Sequence, residues 1–181
     1  MPRCHTAALL ALALGACATS TWYSIHYAPS IVEVPLSADS VPGSQVRALA
    51  TVLGVARAGD GRPDRVHVSL RIENLGTVEA RVPADGFGLV GGDLAAFEPA
   101  RLRGEAPTVP PGQSALVEVW FPLPAGRNVD LVAWNGLNLR FAVEFQGTRV
   151  TTGATFTRLD WPYWYDAPHV HMGVGFAAAC D

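Results

Sequence analysis

At 181 residues, 49% hydrophobic and 16% charged, the chain has the size of one globular domain with short additions, and its composition argues against a disordered chain or a polytopic membrane protein. All 13 basic residues are arginines, scattered singly among 16 carboxylates for a net charge of −3. Such a surface has no electrostatic footprint for nucleic acid.

Residues 1–5 carry one arginine, Arg3, and residues 6–14 are an unbroken run of Ala, Leu and one Thr, the n-region and short h-region of a secretory signal. At roughly 1.5 Å per residue the run covers about 14 Å, less than half a bilayer core, so it cannot span. It also lacks the polar residues at helical spacing that a helix packed on a domain needs. Leu14, Gly15, Ala16 and Cys17 follow directly. This segment resembles the lipobox of bacterial lipoproteins, with a branched aliphatic three residues before the cysteine and small residues immediately before it.

The resemblance implies a signal peptide over 1–16 and a covalent diacylglycerol and acyl chain on Cys17, with no other cofactor. At about 0.8 kcal/mol per buried methylene, several chains hold a protein on its membrane essentially permanently. Ala18, rather than Asp, follows the cysteine, which by similarity to known sorting signals implies the outer membrane of a two-membrane cell. Removing the leader takes Arg3 and Cys4 with it and moves the net charge from −3 to −4. Cys180 is then the remaining thiol, so the mature body is expected to hold together by packing, without an internal disulfide.

Residues 17–43 read as the lipidated residue and an extended tether, because Pro29, Pro35 and Pro42 interrupt any helix, with one strand near 31–34. Trp22, Tyr23 and Tyr27 either rest at headgroup level or pack on the domain. From Gln45 onward the pattern has period two. Val66, Val68, Leu70 and Ile72 point one way and His67, Ser69, Arg71 and Glu73 the other, as in a strand with one buried face.

Residues 74–77, with Gly76, read as a turn, and Val78, Ala80 and Val82 against Glu79 and Arg81 predict a hairpin partner that Pro83 ends. Further strands are predicted at 46–55, 87–90, 115–121, 139–145 and 148–157, punctuated by Pro110, Pro111 and Gly112 and by Gln146 and Gly147. About seven short strands without an amphipathic helix predict an all-β fold, an antiparallel β-sandwich over 44–159. The stretch 66–124 also resembles the Ig-like, immunoprotective-extracellular type of domain found in small bacterial lipoproteins. The likeness is carried by the Glu73-Asn74-Leu75-Gly76 turn, the Phe87-Gly88-Leu89 segment, the Pro110-Pro111-Gly112 turn and the strand ending in Trp120-Phe121. It implies an Ig-like sandwich with a binding or structural role and supplies no catalytic residues.

Four constellations bear on chemistry. Gly86, Gly88 and Gly91 form a literal G-x-G-x-x-G, but a dinucleotide site needs a parallel strand before it and a helix after it, and Gly91, Gly92 and Asp93 read as a turn. His169, His171, Met172 and Cys180 gather ligands suited to copper(I) or zinc, with His26 or His67 as distant partners. Trp161, Tyr163, Trp164 and Tyr165, in the tail over 160–181, offer rigid aromatic area to a protein or glycan partner, or else cap the sandwich. No G-x-S-x-G appears, and no histidine has an evident serine or thiol partner apart from Cys180. Ser69 and Ser114 sit in strand patterns, and Glu118 and Glu144 alternate outward, so no catalytic residue is expected. These features predict a non-enzymatic lipoprotein that touches the membrane through its anchor and an envelope protein through its domain. The alternative is a metal-binding lipoprotein that uses the C-terminal His/Met/Cys set.

Overall fold

The computed structural model describes residues 21–23, 25–57, 63–97 and 99–159. In chain order its strands are β1 (Thr21–Tyr23), β2 (Tyr27–Ala28), β3 (Val32–Leu36), β4 (Val46–Arg57), β5 (Arg65–Asn74), β6 (Ala80–Arg81), β7 (Gly88–Gly91), β8 (Arg101–Leu102), β9 (Thr108–Val109), β10 (Ser114–Pro122), β11 (Gly136–Phe145) and β12 (Thr148–Arg158). Seven of them have four residues or more, in agreement with the number read from the pattern. Two single 3-10 turns, Ala84–Gly86 and Val129–Leu131, are the helical segments among the described residues.

Alternation builds two layers. On β5, Val66, Val68, Leu70 and Ile72 are wholly buried. They face Phe141, Val143 and Phe145 of β11 and Phe156 of β12 in one continuous core. The first sheet runs β1-β4-β5-β10-β8 with β3 also on β4, and the second runs β2-β12-β11-β6-β9 with β7 also on β11. Every pairing is antiparallel. The fold is therefore the all-β antiparallel sandwich that the sequence predicts. A register shift between Val52 and Gly54 marks a bulge in β4, where Gly54 takes φ +136°, open to glycine and strained for other residues.

Two expectations change. The predicted hairpin between 66–73 and 78–82 does not form: β5 pairs with β4 and β10, whereas β6 pairs with β11 and β9 in the opposite sheet. Asn74 sends the chain across. Its buried side chain donates to the carbonyls of Val78 and Val109, both at 2.8 Å, and accepts from the Gly76 amide at 3.0 Å, satisfying backbone groups that a crossing chain would leave unpaired. Gly76 then passes so close to Gly43 that a Cβ would lie 2.1 Å from the Gly43 carbonyl oxygen.

The stretch 17–43 also gives more than a tether with one strand. β3 lies along β4, β2 joins the other sheet, and Leu36, Ala38 and Val41 are buried. Tyr27 packs edge-on to Phe156 with centroids 6.2 Å apart, so this aromatic belongs to the core. Burial pushes its phenol above the ordinary range, against the pull of Arg158.

Candidate functional site

The outer face of the first sheet carries the densest cluster of functional side chains. Period two places His67 of β5 and Trp120 of β10 on this face, and the register sets them opposite one another. Their rings stack at 3.8 Å with planes 12° apart, which explains how a histidine on the polar side of a strand is only 7% exposed. Arg65 stands two residues before His67, and its guanidinium carbon lies 4.3 Å from the Trp120 ring centroid. Arg101 of the short edge strand β8 pairs with Trp120 from the other side.

Glu118 ties the cluster together. One carboxylate oxygen accepts from Arg103 at 3.0 Å and the other lies 3.8 Å from His67 Nε2. Burial lowers the His67 pKa most, the Glu118 carboxylate opposes it, and Arg103 and Arg65 add to the lowering. The imidazole is therefore held neutral, as a stacking platform. Arg65 and Arg101 make no ion pair among the described residues. Together with Pro63, Leu102 and Pro122 they line a shallow groove of about 300 Å³ beside Trp120. The Arg65 guanidinium over the Trp120 ring, with Arg101 lining the same groove and neither paired to a carboxylate among the described residues, suits an oxyanion. A larger hollow of about 520 Å³ at the other end of the sandwich is lined by turn residues, among them Gly43, Ser44, Leu75 and Gly76.

The residues singled out from sequence fall in different places. Cys17, the set His169, His171, Met172 and Cys180, and the aromatics Trp161, Tyr163, Trp164 and Tyr165 lie outside the described residues. His26 is exposed just before β2, while His67 is buried under Trp120. Among the described residues no group of three or more His, Cys, Asp or Glu side chains is arranged to hold a metal ion. Gly86 ends a 3-10 turn, and Gly88 and Gly91 bound β7, an antiparallel strand, so the glycine spacing is not in a dinucleotide-binding setting. Sequence reasoning missed Arg65, Arg101, Arg103 and Trp120 as a cluster. The usable signal was the outward parity of Trp120 within its strand.

No family model matches the chain, and no curated protein matches it. Three solved structures share part of its form. The Northeast Structural Genomics Consortium target SoR45 is 15% identical, covering 65% of this chain and 88% of its own, with a TM-score of 0.43. A FixG-related protein from Vibrio parahaemolyticus is 12% identical, covering 61% of this chain and 94% of its own, with a TM-score of 0.34. The GAE domain of GGA2p from Saccharomyces cerevisiae is 11% identical, covering 70% of this chain and 96% of its own, with a TM-score of 0.31.

Proposed function

We propose that the chain is a lipid-anchored envelope protein of the outer membrane, related to the Ig-like lipoprotein domains that residues 66–124 resemble. In this reading residues 1–16 are removed, Cys17 carries the acyl chains, and the sandwich works by contact with an envelope protein and without catalysis. The observation that carries it is the Leu14-Gly15-Ala16-Cys17 segment directly behind a charged n-region and an apolar h-region. The outer face of the first sheet supports a contact role, because it displays Arg71, Leu116 and Glu118 on paired strands.

Palmitate labelling and detergent-phase partitioning test the anchor. The unaltered protein is expected to take up label and enter the detergent phase, and Cys17→Ser to do neither. Labelling and partitioning that survive Cys17→Ser would defeat the reading. In-cell crosslinking then tests the contact role, with a defined envelope protein as the expected product.

A further inference from the structure

We propose that one end of the sandwich lies on the bilayer, with Arg65, Arg101 and Trp120 among the phosphate headgroups of anionic lipid and Leu94 and Leu131 beside them at the interface. This rests on the anchor reading of Cys17.

The register collects these groups at one end. Thr21 pairs with Arg57, Ala56 with Arg65, and Arg65 with Pro122, so β1 enters the sheet where the arginine groove lies. Three residues lie between Cys17 and Thr21, and the four steps of chain reach at most about 14 Å. The second sheet shares this end. Just after β1, Tyr27 and Ala28 pair with Arg158 and Thr157, Thr157 pairs with Gly136, and Leu137 with Gly91. The connections beyond these positions expose Leu94 at 82%, Leu131 at 61% and Leu159 at 40%.

Single exposed leucines are ordinary. Leu94 is less so, because it sits at φ +63°, a left-handed conformation that glycine or asparagine adopts with less strain. A large apolar side chain is kept in the open at a position that disfavours it. Among the described residues this end carries Arg57, Arg65, Arg101, Arg127 and Arg158 against Asp64, Asp93 and Asp130, and Asp93 accepts from Arg127. Arginine stems, a tryptophan edge and protruding leucines are the side chains that settle at a membrane interface. Anionic headgroups supply a counter-charge that Arg65 and Arg101 do not find among the described residues.

The test is hydrogen exchange on the full chain, purified from membranes and reconstituted in vesicles of phosphatidylcholine alone or mixed with phosphatidylglycerol. Amides of 91–95, 101–103 and 129–134 are expected to exchange more slowly in the mixed vesicles, by about twenty-five-fold for two arginines at about five-fold each. Those of 74–77 and 112–114, at the opposite end, should not change. The double variant Arg65→Gln, Arg101→Gln is expected to lose the slowing while 74–77 keeps its native exchange, and Arg81→Gln, Arg149→Gln at the far end to retain it.

Equal slowing at both ends, equal loss in both double variants, or no difference between the vesicles would overturn the proposal. So would the same slowing produced by inorganic phosphate with phosphatidylcholine alone, which would make the groove a site for a free anion. Failure of the anchor reading shows separately, as release of the chain from both kinds of vesicle on an alkaline wash.

Discussion

The two ends of the sandwich are built on opposite principles. At the crossing end, Asn74 has its side-chain amide hydrogens and carbonyl oxygen in hydrogen bonds, and Gly76 packs against the Gly43 backbone. At the entry end, two arginines make no ion pair among the described residues and Leu94 stands exposed in a strained conformation. One end spends its polar groups on holding two sheets together. Both ends expose leucine, Leu75 at 53% at the crossing end and Leu94 at 82% at the entry end, but the entry end adds two arginines without a carboxylate partner among the described residues, and that surplus is where binding is to be sought.

The contrast breaks most clearly at Asn74. Asn74→Ala removes the donor to two carbonyls, one of them in a fully buried contact, and the acceptor for the Gly76 amide. At roughly 1–3 kcal/mol for each buried group left unpaired, the loss of stability is expected to reach about 3 kcal/mol or more in denaturant unfolding. Below the unfolding transition, exchange at 91–95 on anionic vesicles should be unaltered. A loss under about 1 kcal/mol would mean that water replaces the side chain and that the crossing end is not the structural one.

His67 sharpens the comparison with a smaller effect. Its folded pKa lies below the ordinary 6.5, chiefly through burial. Between the folded value and 6.5 the unfolded chain binds more protons, so this contribution to stability is complete above about pH 6.5 and is lost as pH falls through that window. Thermal unfolding of the unaltered protein should show that slope, and His67→Gln should flatten it. The same slope in His67→Gln would assign the pH dependence to other groups.

How much of this was legible in sequence depends on the distance over which each feature acts. The strands over 66–72, 115–121, 139–145 and 148–157 were readable because period two is local: each buried residue announces itself by its neighbours. The crossing at Asn74 was not. Val78, Ala80 and Val82 alternate in the same way whichever sheet receives them, and the decisive hydrogen bond reaches Val109, 35 residues away. The site was hidden for the same reason. His67 and Trp120 meet only through the β5 to β10 register, so from sequence His67 read as a polar-face residue or a distant metal partner, and Arg65 and Arg101 as two more scattered charges. The parity of Trp120 was available and pointed outward. What it would stack on was not.

The last contrast is the smallest in energy and the most specific. If Leu94 is retained for contact with a bilayer, replacing it should help the fold and harm the docking. Leu94→Asn keeps a residue suited to φ near +63° and removes an apolar side chain that is 82% exposed. Asparagine tolerates the left-handed region, so stability is expected to rise by about 0.5–1 kcal/mol in denaturant unfolding. Over the same substitution the slowed exchange of 91–95 on phosphatidylglycerol vesicles should weaken several-fold, since the interface loses one buried leucine worth roughly 1.5–3 kcal/mol at full burial. Opposite signs in the two measurements are what a surface under functional demand produces. A variant that gained stability and docked unchanged would make the strain at Leu94 incidental, and the entry end would then rest on its arginines alone.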